Sequence, residues 1–202
     1  LTVDLIKKYP EHYKLYSERS FKFNNIEQPN RNRLLRYDRS VDGVKTGYTK
    51  AAGYCLIASA EREGMRLISV VMGTESDDAR VRESQKLLTY GFRNFETINV
   101  YEENEVLRTA PLYYGEEESI SLGISGALSI TLARGVYENL EAEMKVPVSI
   151  EAPISKGDII GELVLKTDGE ILYKASIVSL EEYKEGGFFS RLSDYFELLF
   201  SN

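Results

Sequence analysis

Apolar positions along the 202-residue chain follow a helical period at first, a strand-like period in the middle and a helical period again at the end. Leu5, Ile6 and Tyr9 share one helical face with Lys7 and Lys8 off it, and Pro10 interrupts the pattern. Residues 1–16 are therefore predicted as one helix or two short ones. Phe21-Lys22-Phe23 alternates as a short strand, and Asn24-Asn25 and Gln28-Pro29-Asn30 are turn-rich. The apolar runs 54–60 and 67–72, separated by Glu61-Arg62-Glu63-Gly64, read as a hairpin of buried strands. Ser76 or Asp77 then caps a helix over residues 77–90, with Val81, Ser84, Leu88 and Phe92 inward and Gly91 as its stop.

The pattern changes near Phe95. Short alternating runs follow as far as Glu182, among them Leu140, Ala142, Met144 and Val146 set between Glu141, Glu143 and Lys145. Asp168-Gly169 between strand-like runs is a strong hairpin signal. Strands at this spacing predict a small all-β domain of sandwich or barrel type. After a polar connector ending in Gly186-Gly187, residues 188–200 carry an apolar helical stripe of Phe188, Phe189, Leu192, Tyr195, Phe196 and Leu199. The expected fold class is α+β: a sheet-and-helix portion over 1–94, an all-β domain over 95–183, and a connector with an amphipathic helix over 184–202.

A hydrophobic fraction of 43% and an aromatic fraction of 11% suffice for buried cores. The formal net charge of −7 argues against a nucleic-acid partner, although Arg31, Arg33, Arg36 and Arg39 cluster locally. Cys55 is the one cysteine, which excludes a disulfide within the chain, and it lies in an apolar run as a small hydrophobe. With His12 the one histidine, a Ser-His-Asp triad or a histidine-based metal site is disfavoured. No signal peptide or bilayer-spanning run is present. The chain opens inside a helical pattern at Leu1-Thr2-Val3-Asp4, which reads as a cut boundary.

The stretch Val41-Asp42-Gly43-Val44-Lys45-Thr46-Gly47-Tyr48-Thr49 sets an ammonium, a hydroxyl and an unobstructed backbone side by side on a predicted strand. That combination suits an anionic, carbonyl-bearing substrate. Lys-Thr-Gly is also the third signature of the penicillin-recognising serine enzymes. With Asn30-Arg31-Asn32-Arg33-Leu34-Leu35 before it, and Ala52-Gly53-Tyr54, residues 56–60, residues 67–73 and Arg80 after it, the chain resembles the low-molecular-mass D-alanyl-D-alanine carboxypeptidases, the type-5 penicillin-binding proteins. The resemblance runs along essentially the whole chain and covers the latter part of such an enzyme. Residues 1–94 then correspond to the C-terminal part of the penicillin-binding, transpeptidase-like catalytic domain.

The resemblance implies three motifs: Ser-x-x-Lys, Ser-x-Asn and Lys-Thr-Gly. No serine in this sequence is followed by lysine three positions on, and none by asparagine two positions on. The nucleophile is therefore expected in an N-terminal segment of the same enzyme, and this chain alone is expected to be inactive. Lys45 is the cation beside the reacting groups, and the backbone N–H of Tyr48 is half of the oxyanion hole by resemblance. Thr46, Gly47, Arg31 and Arg80 are expected to bind substrate, the arginines in a supporting role by gripping a carboxylate. The alternative for each arginine is a surface residue paired with Asp38, Asp77 or Asp78, and for Arg80, on a helix after Asp77 and Asp78, the two readings stand level. The implied partners are the peptidoglycan stem peptide and β-lactams, with no metal or organic cofactor. The terminal stripe is expected on the membrane surface, because thirteen helical residues rise only about 20 Å against a hydrocarbon core of about 30 Å. The implied location is periplasmic, on the outer face of the cytoplasmic membrane. Two other readings stand beside this one: a non-catalytic β-domain scaffold or spacer at the membrane, and a β-lactamase of related architecture. The long β-rich segment after Phe95 argues against the latter.

Overall fold

The computed structural model describes residues 1–188, 191, 192, 194 and 195. The chain divides into two compact units, Leu1–Thr97 and Ile98–Asn202. The first opens with α1 (Thr2–Lys8) and α2 (Pro10–Tyr13), followed by a 3-10 turn over Lys14–Ser17. Pro10 occupies the first position of α2, where its missing N–H costs nothing. β1 (Ser20–Phe23) and β2 (Ile26–Pro29) form a hairpin through Asn24-Asn25. Both asparagines take positive φ, 47° and 62°, as a tight two-residue hairpin requires.

After α3 (Leu34–Tyr37) come three antiparallel strands, β3 (Val41–Thr49), β4 (Gly53–Arg62) and β5 (Met65–Thr74), in the order β3-β4-β5. α4 (Asp77–Asn94) packs on this sheet. Its inward residues Val81, Leu88 and Phe92 meet Leu56, Ala58 and Ala60 of β4 and Leu34 and Leu35 of α3. Ser84 is buried with them. Ser76 is the cap, its hydroxyl accepting from the N–H of Ala79.

Two details differ from expectation. The β4–β5 turn is only Glu63-Gly64, with φ of 48° and 77°. Glu61 and Arg62 stay in the ladder, paired with Arg66 and Met65, and their side chains have partners of their own. Glu61 pairs with Arg66, while Arg62 pairs with Asp38 and lies 4.4 Å over the Phe92 ring. Gly91 does not stop α4, which continues to Asn94. Gly91 is a packing residue: a Cβ there would run into Leu67 Cδ1.

β6 (Phe95–Tyr101) begins in the first unit and runs into the second, which continues with β7 (Val106–Pro111), β8 (Ser119–Gly123), β9 (Leu128–Ala133), β10 (Leu140–Lys145), β11 (Ile159–Thr167) and β12 (Glu170–Ser179). The order β10-β11-β12-β8-β7 makes one sheet, and β6 pairs with β9 in another. Ile120, Leu122, Leu163, Leu165 and Ile177 of the larger sheet share a core with Leu128 and Ile130 of the smaller. Asp168-Gly169 turns the β11–β12 hairpin, with φ of 48° and 82°.

The polar connector is tied down. Gly115 and Glu185 form a β-bridge, and the N–H of Gly186 donates to Tyr114 O at 2.8 Å. Beyond it, Phe188, Arg191, Leu192, Asp194 and Tyr195 are helical. Phe189, Phe196 and Leu199 of the expected stripe lie outside the described residues. Asp194 Oδ2 accepts from the N–H of Tyr114 at 2.6 Å, which gives this polar residue a structural partner.

Tyr183, 4% exposed, closes the β core, and its hydroxyl accepts from the N–H of Ser121 at 2.8 Å. Tyr183→Phe keeps the ring and leaves that N–H without its partner. An unpaired buried donor costs about 1–3 kcal/mol, so urea unfolding of the variant is expected to show a loss in this range at an unchanged m-value.

Candidate active-site wall

Lys45, Thr46 and Gly47 lie on β3, an edge strand of its sheet. β4 supports one side through the pairs Lys45↔Ile57, Thr46↔Leu56, Gly47↔Cys55 and Tyr48↔Tyr54. The other edge has no strand partner among the described residues. Strand alternation sends Lys45 and Gly47 to one face and Val44, Thr46 and Tyr48 to the other. The second face is the one that carries Leu56 and Ala58 against α4. Lys45 is exposed, and its ammonium donates to Thr46 O at 2.7 Å. Thr46 is half-buried, and Gly47 and Tyr48 are exposed.

Gly47 is not demanded by packing within this chain. A Cβ at that position would meet only Cys55 Cβ, at an ordinary 3.8 Å. The missing side chain leaves an open strip of backbone along which an extended ligand can lie and pair.

The strand is braced from its helix face. Arg80, with only 7% of its side chain exposed, donates from Nη1 to Gly47 O at 3.1 Å and to Cys55 O at 3.3 Å. Its Nη2 pairs with Asp77, one helical turn back. Asp77 also takes Arg33 Nη1 at 3.1 Å, and Arg33 reaches Asp78 as well. The Arg80 guanidinium stands 5.4 Å from the Tyr54 ring, on which Tyr48 packs with centroids 4.4 Å apart.

At Arg80 the structure shows the expected alternative, a guanidinium paired with Asp77, but buried rather than at the surface. Burial makes an arginine costly unless its donors are satisfied; here both Nη groups serve backbone carbonyls and Asp77, while the buried Nε has no partner among the described residues. Arg31 is exposed, two residues before Arg33, on the loop that leads into α3. Asp77, Arg33 and Tyr54 were not singled out from the sequence as site residues. Asp77 was expected only as a possible ion-pair partner of Arg80, a pairing its spacing at a helix start favours, since residues three apart share a helical face. Of the terminal stripe, Phe188, Leu192 and Tyr195 are 76%, 44% and 52% exposed.

A helix-backed antiparallel sheet with Lys-Thr-Gly on its edge strand is the wall that the penicillin-recognising serine enzymes build. Residues 1–76 match the family model described as D-alanyl-D-alanine carboxypeptidase, and residues 95–185 match the C-terminal domain of penicillin-binding protein 5. D-alanyl-D-alanine carboxypeptidase DacC of Escherichia coli K12 is 41% identical over 97% of this chain and 50% of its own length. DacA of the same organism is 41% identical over 97% of this chain and 49% of its own. Penicillin-binding protein 5 of Haemophilus influenzae superposes with a TM-score of 0.83 at 41% identity, over 91% of this chain and 54% of that one. The chain belongs to the D-alanyl-D-alanine carboxypeptidase family of penicillin-binding proteins. It spans about half the length of the curated relatives it matches.

The entry to β3 is held by Asp38. Its carboxylate accepts from the N–H and hydroxyl of Ser40 and pairs with Arg62 at 2.6 Å. Burial opposes its ionisation, but the Ser40 bonds and the Arg62 guanidinium outweigh it and hold its pKa below the ordinary value of 3.8. A depressed carboxylate stabilises the fold above its ordinary pKa and loses that contribution as pH falls through the folded-state value. Asp38→Asn is thus expected to cost about 1–2 kcal/mol at pH 7. The gap from wild type should close in acid, as read by urea unfolding at both pH values.

Proposed function

We propose that this chain forms the Lys-Thr-Gly wall of a serine-type D-alanyl-D-alanine carboxypeptidase. The enzyme removes the terminal D-alanine from peptidoglycan pentapeptide stems and is acylated by β-lactams. The observation that carries the reading is the exposed edge of β3, with Lys45 beside an unobstructed Gly47 and a buried brace behind them. An extended peptide ending in a carboxylate fits such an edge, because its backbone pairs with the strand while its charge meets an ammonium. A β-lactam offers the same two features, an amide carbonyl and a nearby carboxylate.

The roles follow from position. Lys45 favours the anionic substrate and assists proton movement next to the nucleophile. Thr46 donates to the terminal carboxylate, and Arg31 supports that end from the adjoining loop. The N–H of Tyr48 is one of the two oxyanion donors. Its ring packs on Tyr54, so only the backbone of this residue works at the carbonyl. Arg80 positions Gly47 rather than meeting substrate. The nucleophilic serine and its lysine come from an N-terminal segment of the same enzyme. The enzyme works in the periplasm, peripheral to the outer face of the cytoplasmic membrane. The terminal stripe of Phe188, Phe189, Leu192, Tyr195, Phe196 and Leu199 rests on that surface.

Labelled-penicillin acylation of the full-length enzyme tests the wall. Lys45→Ala removes a positioned electrostatic group and should slow acylation about a hundredfold or more. Gly47→Val should fold normally, because the site has room for a Cβ, yet fail to acylate because the side chain fills the ligand's path. Near-normal acylation by both variants would falsify the assignment. Incubated without the N-terminal segment, this chain should take up no penicillin.

The tail is tested by liposome co-sedimentation of the protein against a version ending at Gly187. Arg191 pairs with Glu185, and Asp194 faces Tyr114. Little positive charge is left for anionic lipid, so apolar burial must supply the affinity. Loss of binding on truncation, with little effect of moderate salt, is the expected result. Equal partitioning of the two forms would eliminate the anchor.

A further inference from the structure

The ladder that holds the motif strand is irregular at its root. Val41 pairs with Ala60 and Gly43 with Ser59, so Asp42 between them has no partner across the ladder. A bulge of this kind loosens the register and lets the strand re-aim its side chains. Asp42 is anchored by its side chain instead. The Tyr13 hydroxyl donates to Oδ1 at 2.6 Å, and Arg66 Nη1 donates to Oδ2 at 2.7 Å. Arg66, on β5, also donates to the buried Ser59 hydroxyl at 2.8 Å and lies 5.6 Å over the Tyr13 ring. One carboxylate thus joins α2, β3 and β5.

Gly43 shows how close that clamp sits. Its φ is not positive, so the backbone does not call for glycine. Space does: a Cβ would lie 2.8 Å from the Tyr13 hydroxyl oxygen and 3.3 Å from the ring carbon that bears it. The Gly43 carbonyl is held from the other side by the buried Asn32 side chain, whose Nδ2 donates to it at 2.8 Å. Asn32 directly follows Arg31. Arg31 and Lys45 are therefore both referenced to the same two residues, Asp42 and Gly43.

We propose that Asp42, clamped between Tyr13 and Arg66, is a positioning residue that sets the aim of the Lys-Thr-Gly strand, and that Gly43 is required there by the Tyr13 hydroxyl. The inference rests on the carboxypeptidase reading for its consequence and on the geometry of β3 for its substance. Burial, with the Asp42 hydrogen bond added, raises the Tyr13 phenol to about 12. The donating form therefore persists across the pH range in which an enzyme works.

The test uses the full-length enzyme with two readouts, the rate of acylation by labelled penicillin and hydrogen exchange at the amides of Lys45 and Thr46. Gly43→Ala should slow acylation by about tenfold or more, since misplacement of about 1 Å is enough for a hundredfold loss. It should also speed exchange at both amides. Adding Tyr13→Phe withdraws the closest atom, leaves the 3.3 Å contact and gives up the Tyr13 arm of the clamp, so the double variant should regain part of both properties, up to the level of Tyr13→Phe alone. A merely destabilising lesion would not be repaired by removing a buried hydroxyl. Asp42→Asn, which turns an amide donor toward Arg66 or Tyr13 and adds no bulk, should slow acylation and speed exchange without the clash. Wild-type exchange in Gly43→Ala, or a double variant no better than the single, overturns the proposal. So does an Asp42→Asn enzyme that matches wild type in both readouts. If wild-type enzyme takes up no penicillin, or Lys45→Ala takes it up normally, the carboxypeptidase reading fails instead, and the exchange readout still decides the clamp.

Discussion

Among the described residues the motif strand is paired on one side only, and the rest of the first unit answers to that constraint. A strand inside a sheet is held by two ladders, whereas an edge strand has one and presents a row of free backbone groups. Leaving β3 open is what allows it to meet an extended ligand. The same openness removes half of the hydrogen bonds that would otherwise fix its position. The missing restraint is supplied by side chains, at two places and by two chemistries. Near Gly47 a buried guanidinium reaches through from α4 to backbone carbonyls of both β3 and β4. At the root a carboxylate takes donors from α2 and β5.

Both restraints use charge where it is sheltered from water, which is why they hold. Hydrogen bonds with one charged partner are stronger than neutral ones, and a buried ion left unpaired is costly enough to resist disengagement. Arg80 also has a second layer, since Asp77 is shared with Arg33. The result is a chain of alternating charge from the loop beside Arg31 to the carbonyl of Gly47. Lys45 and Gly47 of the motif are exposed, and the lysine donates to the next carbonyl. The groups that hold the wall are spent on the protein, and those that would work on a ligand are left at the surface.

Much of this architecture was legible from residue patterns. Period-2 and period-3.6 runs placed the hairpins and α4, and the inward face of Val81, Ser84, Leu88 and Phe92 is buried as expected. Asp168-Gly169 located its turn because only a few dipeptides tolerate two positive φ angles. Gly91 was misread because one glycine can end a helix or make room for a neighbour, and only the position of Leu67 distinguishes the two. Arg80 was placed near the motif with Asp77 as one of two expected partners, but its burial was not foreseen, since sequence proximity carries no information on burial. Tyr13 lies twenty-nine residues from Asp42, a separation at which no periodicity operates. The pairing of β6 with β9, across two intervening strands, is out of reach of local pattern for the same reason.

The three-letter motif shows why a local signature and its support are read so unequally. Lys45, Thr46 and Gly47 are constrained by the ligand each would face, and their identities are visible as a contiguous triplet. The residues that aim them are constrained by distance to a backbone atom or a carboxylate, and many chemistries can satisfy that. Asn32, Tyr13, Arg66 and Arg80 come from four different elements or loops and share no spacing. What unites them is that each directs a donor at the motif strand, to the Gly43 carbonyl, the Asp42 carboxylate or the Gly47 carbonyl. Two of these donors meet backbone carbonyls of the strand and two meet the Asp42 side chain, so a strand with one ladder is held by two different chemistries drawn from four elements or loops. The exposed triplet is contiguous because one ligand would face it, and its supports are dispersed because each needs only to reach one acceptor.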